Sequence, residues 1–326
     1  MKNSRFYLLT GWCAVLLLSV FCGESFARQK IVFGGGPPGG TFQVVANAIQ
    51  VYKPVAELSE FTVKAEYSAG SAENLIKVDA GDMDFGVVYS GEVYQARKGG
   101  LKDDPKKYEN VMAVAFLYGA PAQLVVRAGS GINSVRDLKG KKVDVGNPGS
   151  GAFVTCELFL THMGIWDSIE RNTMGYNEAA AAFSNRELDA FWLFTAFPSG
   201  AVLMAAQTND IAIIDLDTDA QQSGFYKKYP YFSKFSIPAG TYKGIEKDVP
   251  TFQDAALWVA HSGVSDDVVS RLLSIIFTED GLRHMAGQKK TFKEMSIAGG
   301  IRGIVTPLHP GAEKFWKEKG VLKQGK

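Results

Sequence analysis

The residues best able to do chemistry sit where apolar runs end. Ile31-Val32-Phe33 leads into Gly34-Gly35-Gly36-Pro37-Pro38-Gly39-Gly40-Thr41, after which Phe42, Val45, Ala46 and Ile49 recur at helical spacing. Glycine lets a backbone turn sharply and lets another molecule come close. Thr41 stands where an N-cap is expected. The free N–H groups of such a helix start form a seat for an anion or a carbonyl. The device recurs. Phe61 to Tyr67 alternates as a strand and ends in Ser68-Ala69-Gly70-Ser71, with Ser71 capping a helix. Asp84 to Val88 reads as a short buried strand, and Tyr89-Ser90-Gly91 opens the next helix. The strand Lys142 to Val145 ends in Asn147-Pro148-Gly149-Ser150-Gly151 before a helix bearing Val154, Leu158 and Phe159. Tyr176-Asn177-Glu178 opens a helix over Ala179 to Phe183, and the strand Ala190 to Phe194 ends at Thr195. In open α/β sheets, ligands bind at the carboxyl ends of strands.

Other chemistries find less support. Gly34-x-Gly36-x-x-Gly39 matches the dinucleotide fingerprint in outline, with Glu57 or Glu60 about 20 residues on. Pro37 and Pro38 carry no N–H where a pyrophosphate needs donors, so no dinucleotide is expected, nor any other cofactor. His162, His261, His284 and His309 show no ligand spacing with one another or with cysteine, so no metal site is readable. Gly149-Ser150-Gly151 is not the Gly-x-Ser-x-Gly nucleophile elbow. Glu178 is either a pocket carboxylate or a first-turn acid that favours the helix dipole. What remains is hydroxyls, backbone donors and aromatic rings at strand ends, a set suited to binding and releasing a small polar ligand. An exported hydrolase using Ser150 or Glu178 is the alternative from another class; turnover lost on changing either residue would identify it.

Elements must bring these ends together. The stretch around Gly81-Asp82-Met83-Asp84 and its strand parallels the one around Asn185-Arg186-Glu187-Leu188-Asp189 and its strand, which predicts two related α/β lobes facing each other. Tyr118-Gly119-Ala120-Pro121 reads as one crossing between lobes, with a new strand from Gln123, and Ile237 to Tyr242 as the crossing back. The expected division is a signal peptide over 1–27, a first lobe over 28–120 and 239–326, and a second lobe over 121–238. Lys2 and Arg5 precede an apolar stretch from Trp12 to Cys22, and Ser25-Phe26-Ala27 is a small-x-small cleavage site. The mature chain is therefore expected outside the cytoplasmic membrane, beginning at Arg28. Cys22 follows Phe21, where a lipobox wants a small residue. Cys156 alone stays with the mature chain, which leaves no intramolecular disulfide. Without Lys2, Arg5 and Glu24, the 35 basic and 34 acidic residues balance to zero, which argues against a nucleic-acid partner.

The sequence resembles the TAXI family of extracytoplasmic solute receptors, the binding components of TRAP transporters. The resemblance rests on Gly39-Gly40-Thr41-Phe42, Ser68-Ala69-Gly70-Ser71-Ala72-Glu73-Asn74-Leu75, Gly81-Asp82-Met83-Asp84-Phe85-Gly86, Asp137-Leu138-Lys139-Gly140-Lys141-Lys142, Gly146-Asn147-Pro148-Gly149-Ser150-Gly151 and Pro307-Leu308-His309-Pro310-Gly311-Ala312, spread in order along the mature chain. It implies a periplasmic-binding-protein-like fold, two α/β lobes joined by a hinge with an interlobe ligand cleft. It implies a glutamate- or glutamine-like amino acid or another small carboxylate as ligand, a TRAP permease as membrane partner, and no catalysis. Carried over residue by residue, it turns Gly40, Thr41, Ser71, Tyr89, Ser90, Gly149, Ser150 and Gly151 toward the cleft. Pro37-Pro38 and Phe42 depart from the family's usual Gly or Thr and Tyr, and no arginine stands at the strand-end loops to clamp a carboxylate. A binding protein serving an ABC importer or a sensor kinase is the variant within this class.

Overall fold

The computed structural model describes residues 28–101 and 104–322. The stretch read as an export signal, with Cys22, lies outside them. Ten strands follow in chain order: β1 (Gln29–Gly34), β2 (Phe61–Glu66), β3 (Phe85–Tyr89), β4 (Val111–Arg127), β5 (Lys142–Asp144), β6 (Glu170–Asn172), β7 (Ala190–Phe194), β8 (Ile211–Ile213), β9 (Ser233–Ile237) and β10 (Val249–His261). They join in the order β2-β1-β3-β10-β4-β7-β5-β6, with β8 paired to β4 and β9 to β10. At one end β2, β1 and β3 run parallel, and at the other β6, β5 and β7 do. Crossover helices cover both faces of a parallel sheet, so its central strands read as unbroken apolar runs. Every residue of Phe85–Tyr89 and of Ala190–Phe194 is buried. Strand β2, at the edge, is only part-buried.

The fold is thus two α/β lobes that share two antiparallel strands. Along β4, Val111 to Pro121 pairs with β10 and Ala122 to Val126 with β7. Along β10, Ala256 to Ala260 pairs with β3 and Val249 to Gln253 with β9. These two strands join the lobes. The expected break at Tyr118–Pro121 is absent: β4 is one strand of 17 residues. Pro121 is the last β4 residue opposite β10 and Ala122 the first opposite β7. Its missing N–H therefore falls where the partner strand changes, a position that tolerates proline.

The first crossing thus falls within the expected stretch; the return crossing lies elsewhere. Tyr242 and Ile245 pack in one cluster with Val125, Phe191 and Val202 of the second lobe. The Tyr242 hydroxyl donates to Gln123 Oε1 at 2.6 Å and accepts from the Ser199 N–H at 2.8 Å. Pro238-Ala239-Gly240, which has the composition of a linker, is a turn closed by the Gly240 N–H on the Ile245 carbonyl at 2.7 Å. The chain returns along β10, so the stretch after 239 stays with the second lobe until β10 begins.

The first lobe is completed by the far end of the chain. The helix Pro310–Glu318 carries Trp316, fully buried, whose indole N–H donates to the Val114 carbonyl at 2.8 Å. His309 is buried before that helix, its Nδ1 accepting from the Gly311 N–H at 3.2 Å. Cys156 is buried in the helix Gly151–His162. Among the described residues, no helix is long and apolar enough to cross a membrane.

Candidate functional site

Four helices begin at the seam between the lobes. Thr41–Val51 and Ser71–Ala80 come from the first lobe; Gly151–His162 and Tyr176–Ser184 come from the second. Each follows a strand, so the strand carries its apolar core inward and delivers the helix start to the seam. The caps sit one residue earlier than expected at Thr41 and Ser71: Gly40 and Gly70 hold those positions, and Thr41 and Ser71 are the first helical residues. Gly70 has φ 127°, a backbone that a side chain resists, and a Cβ there would stand 3.4 Å from the Ser150 Cα. Ser150 is an N-cap, accepting from the Phe153 N–H at 3.1 Å.

The structure brings Gly40, Thr41, Ser71, Tyr89, Ser150, Gly151 and Thr195 to one small cleft, with Phe42 and Tyr176. The Thr41 and Thr195 hydroxyls meet across it at 3.1 Å. The Tyr89 hydroxyl crosses the seam to donate to the Phe194 carbonyl at 2.7 Å, which also accepts from the Tyr176 hydroxyl at 2.9 Å. With the lobes drawn together this way, the cleft holds about 30 Å³, room for a water or two.

Three expected site residues lie elsewhere. Ser90 turns away, its hydroxyl donating to the Gly303 carbonyl at 2.6 Å. Gly149 stands at the seam, its carbonyl accepting from the Glu73 N–H at 3.3 Å, but does not line the cleft. Glu178 is exposed in the first turn of its helix. For the hydrolase reading, the Ser150 hydroxyl donates to the Asn147 carbonyl at 2.6 Å, and no histidine is among the described residues lining the cleft.

Two polar groups behind the cleft's lining, one bonded to Thr41 and one packed on Phe42, carry no signal in the sequence. Lys289, just after the helix Glu279–Gln288, extends its ammonium to Thr41 Oγ1 at 2.8 Å. Thr41, having accepted from Lys289, can pass its own proton to Thr195, which makes a donor chain running into the cleft. No carboxylate pairs with Lys289 among the described ion pairs, and burial pulls its pKa below the ordinary lysine range. The Tyr118 hydroxyl is fully buried with no partner at hydrogen-bonding distance. Burial of an unpaired hydroxyl is costly unless something binds it. A helix start carries roughly half a positive charge. Four such starts and an ammonium make the cleft electropositive without an arginine.

The Tyr89 ring is also the wall between this cleft and a second crevice, where Glu92 and Asp254 are buried. Burial, with Asp254 adding repulsion and Ser71 opposing it, pushes the Glu92 carboxyl up to about 8. Burial likewise pushes Asp254 up to about 7, against hydrogen bonds from the Gly91 and Ala255 N–H groups. A carboxyl raised on folding keeps a proton that the unfolded chain has released. Stability therefore falls as the pH rises from the ordinary carboxylate range toward about 8, and levels off above it. Glu92→Gln should remove the largest part of that slope. Its melting temperature should exceed the parent's at pH 8 and match it near pH 4, read by thermal denaturation across the range; an equal offset at both pH values would count against this account.

A protein from Bordetella bronchiseptica RB50 shares the fold at a TM-score of 0.51 and 16% identity, over 89% of each chain. The binding protein component of an ABC phosphonate transporter from Pseudomonas aeruginosa matches at 0.50 and 12%, over 81% of this chain and 79% of that one. The periplasmic aliphatic sulphonate binding protein of Escherichia coli matches at 0.48 and 14%, over 89% and 79%. The first two likenesses show a shared fold, the paired lobes and common strands described above. The family model that fits the sequence spans residues 33–320, from the end of β1 to beyond the helix of Trp316, and by that match the chain belongs to the NMT1-like family.

Proposed function

We propose that the protein is an exported solute receptor that closes its two lobes on a small carboxylate or amino acid, glutamate- or glutamine-like, and delivers it to a membrane permease without chemical change. One observation carries the reading: four helix N-termini, two from each lobe, converge on a single cleft, with the Lys289 ammonium bonded to Thr41 behind its lining. Helix starts favour negative charge, and charge-assisted hydrogen bonds in a water-excluded cleft are the strong ones. Shared hinge strands supply the opening that a cleft of about 30 Å³ requires before a ligand can enter. The motifs from Gly39 to Ala312 support a TRAP permease as partner, and the expected signal at 1–27 supports a periplasmic location.

A second reading, the receptor of an ABC importer, is favoured by the Pseudomonas aeruginosa neighbour, whose name assigns it to an ABC phosphonate transporter. The reading frames adjoining this one separate the two, since the permease types differ in their subunits.

The test is a thermal-shift screen of the purified, ligand-stripped protein against amino acids, dicarboxylates, keto acids, alkylphosphonates, sulphonates and neutral sugars. A ligand at about 100 times its dissociation constant stabilises by roughly 2.7 kcal/mol, which is several degrees for a chain of this length. A shift confined to one group of anions or amino acids is the expected result. A shift with sugars alone would overturn the electropositive cleft as the binding site.

A further inference from the structure

A crevice on the other side of Tyr89, about 250 Å³ against about 30 Å³ for the cleft, is also walled by both lobes. From the first lobe the helix Ser90–Arg97 contributes Gly91, Glu92 and Gln95; from the second, Gly151–His162 contributes Val154, Leu158 and Thr161. The segment before β9 roofs it with Tyr229, Tyr231 and Phe232. Tyr231 is held in place over the first lobe: its hydroxyl accepts from Gln95 Nε2 at 3.2 Å, and its ring packs so close to Gly91 that a Cβ there would lie 2.3 Å from it. An apolar cavity of about 150 Å³ is enough for benzene, so this one takes a ring or short alkyl chain with a polar head.

The polar groups define that head. Glu92, Glu157 and Asp254 line the crevice, and none of the described residues lining it is Lys, Arg or His. Both Asp254 oxygens are occupied, Oδ2 by the Gly91 N–H at 2.8 Å and Oδ1 by the Ala255 N–H at 2.7 Å. Glu92 differs. It is 7% exposed, it lines the crevice, and its Oε1 has no hydrogen-bond partner. A carboxyl buried with an idle oxygen costs stability; an ammonium brought by a ligand would meet that oxygen, and aromatic faces within about 6 Å would add cation–π attraction.

We infer that this crevice is a second ligand site, taking a small amphiphile with a protonated amine. The apolar body lies among Tyr231, Phe232 and Leu158, and the ammonium donates to Glu92 Oε1. The site is separate from the anion cleft, with Tyr89 as the wall between them. The raised carboxyl of Glu92 fits the assignment, since an entering cation would take the place of its proton.

Phenethylamine is the probe, with phenylpropionate as the analogue of the same ring and opposite charge, each titrated into the intact protein by calorimetry at pH 8. Phenethylamine should bind and phenylpropionate should not. Glu92→Gln should weaken the amine by about tenfold or more. Thr161→Trp, at an exposed lining position, should block the crevice while keeping the parent's melting temperature. Failure of phenethylamine to bind at millimolar concentration would overturn the inference. So would equal binding of amine and acid, or unchanged amine affinity in a Thr161→Trp protein that folds normally. These results leave the anion cleft untouched, since its ligands are tested separately and by charge of the other sign.

Discussion

Lys289→Met should weaken the anion found in the cleft by between about tenfold and a hundredfold, the range for a hydrogen bond from a charged group. The same change should raise the melting temperature of the ligand-free protein. The two signs come from one cause. The ammonium is part-buried with Thr41 Oγ1 as its recorded partner, and burial already pulls its pKa down. Methionine keeps most of the chain's apolar stem and removes the desolvated charge, so the free protein gains. The ligand loses a donor placed beside Thr41 and the field of a positive charge at close range. Calorimetry with the anion identified by screening reads the first effect, and thermal denaturation the second. A fall in stability together with unchanged affinity would make Lys289 a structural residue and remove the cation from the site.

Gly151→Val should abolish tight binding while leaving each lobe folded. A Cβ at Gly151 would lie 2.3 Å from Tyr89 Cδ2 and 2.9 Å from Glu92 Oε1. The ring cannot yield. It is 4% exposed, packs on Phe42 and Phe194 at centroid distances of 4.9 and 4.7 Å, and its hydroxyl is bonded to the Phe194 carbonyl. The clash exists only when the lobes are together, so the substitution penalises closure alone. Affinity that depends on closure falls with it. X-ray scattering should show an expanded radius of gyration even with saturating ligand, with a near-native circular dichroism spectrum. A compact, ligand-responsive Gly151→Val protein would show that Tyr89 and the Gly151 helix start can separate within the closed form.

The strand-end pattern was legible because it is local. Glycines and small hydroxyls between an apolar run and a helical period announce a helix start whatever the rest of the chain does, and seven of the ten residues chosen that way meet at the cleft. Ser90 was misjudged since a strand-to-helix junction offers two directions. The one it took depends on the Gly303 carbonyl, which belongs to a loop near the end of the chain. Lys289 left no sequence signal, being one lysine beside another, Lys290, after an unremarkable helix; its meaning comes from Thr41, which the fold alone brings near. Of the two expected crossings, the first falls in place without a break and the second does not, for a physical reason. Gly119, Pro121, Pro238 and Gly240 are breakers by propensity, but β4 continues through the first pair and the second pair turns within one lobe. Glu92 and Asp254 meet only because the sheet order sets β10 beside β3, a pairing no local pattern announces.

The sheet order has a consequence for how the chain assembles. In the first lobe β10 lies between β3 and β4, and Trp316 must arrive to close the core beneath Val114. Until some 160 residues have followed β3, its open edge has no neighbour and the N-terminal strands form only a fragment. The second lobe needs no such wait, since its strands from the far half of β4 to β8 pair among themselves and are contiguous in sequence. Contacts distant along the chain slow folding, and local ones speed it. The molecule should therefore consolidate from its middle outward, with amides of β5 and β7 protected from hydrogen exchange before those of β1 and β3 in a refolding pulse experiment. Simultaneous protection would mean that the shared strands bind both halves into a single cooperative unit from the start.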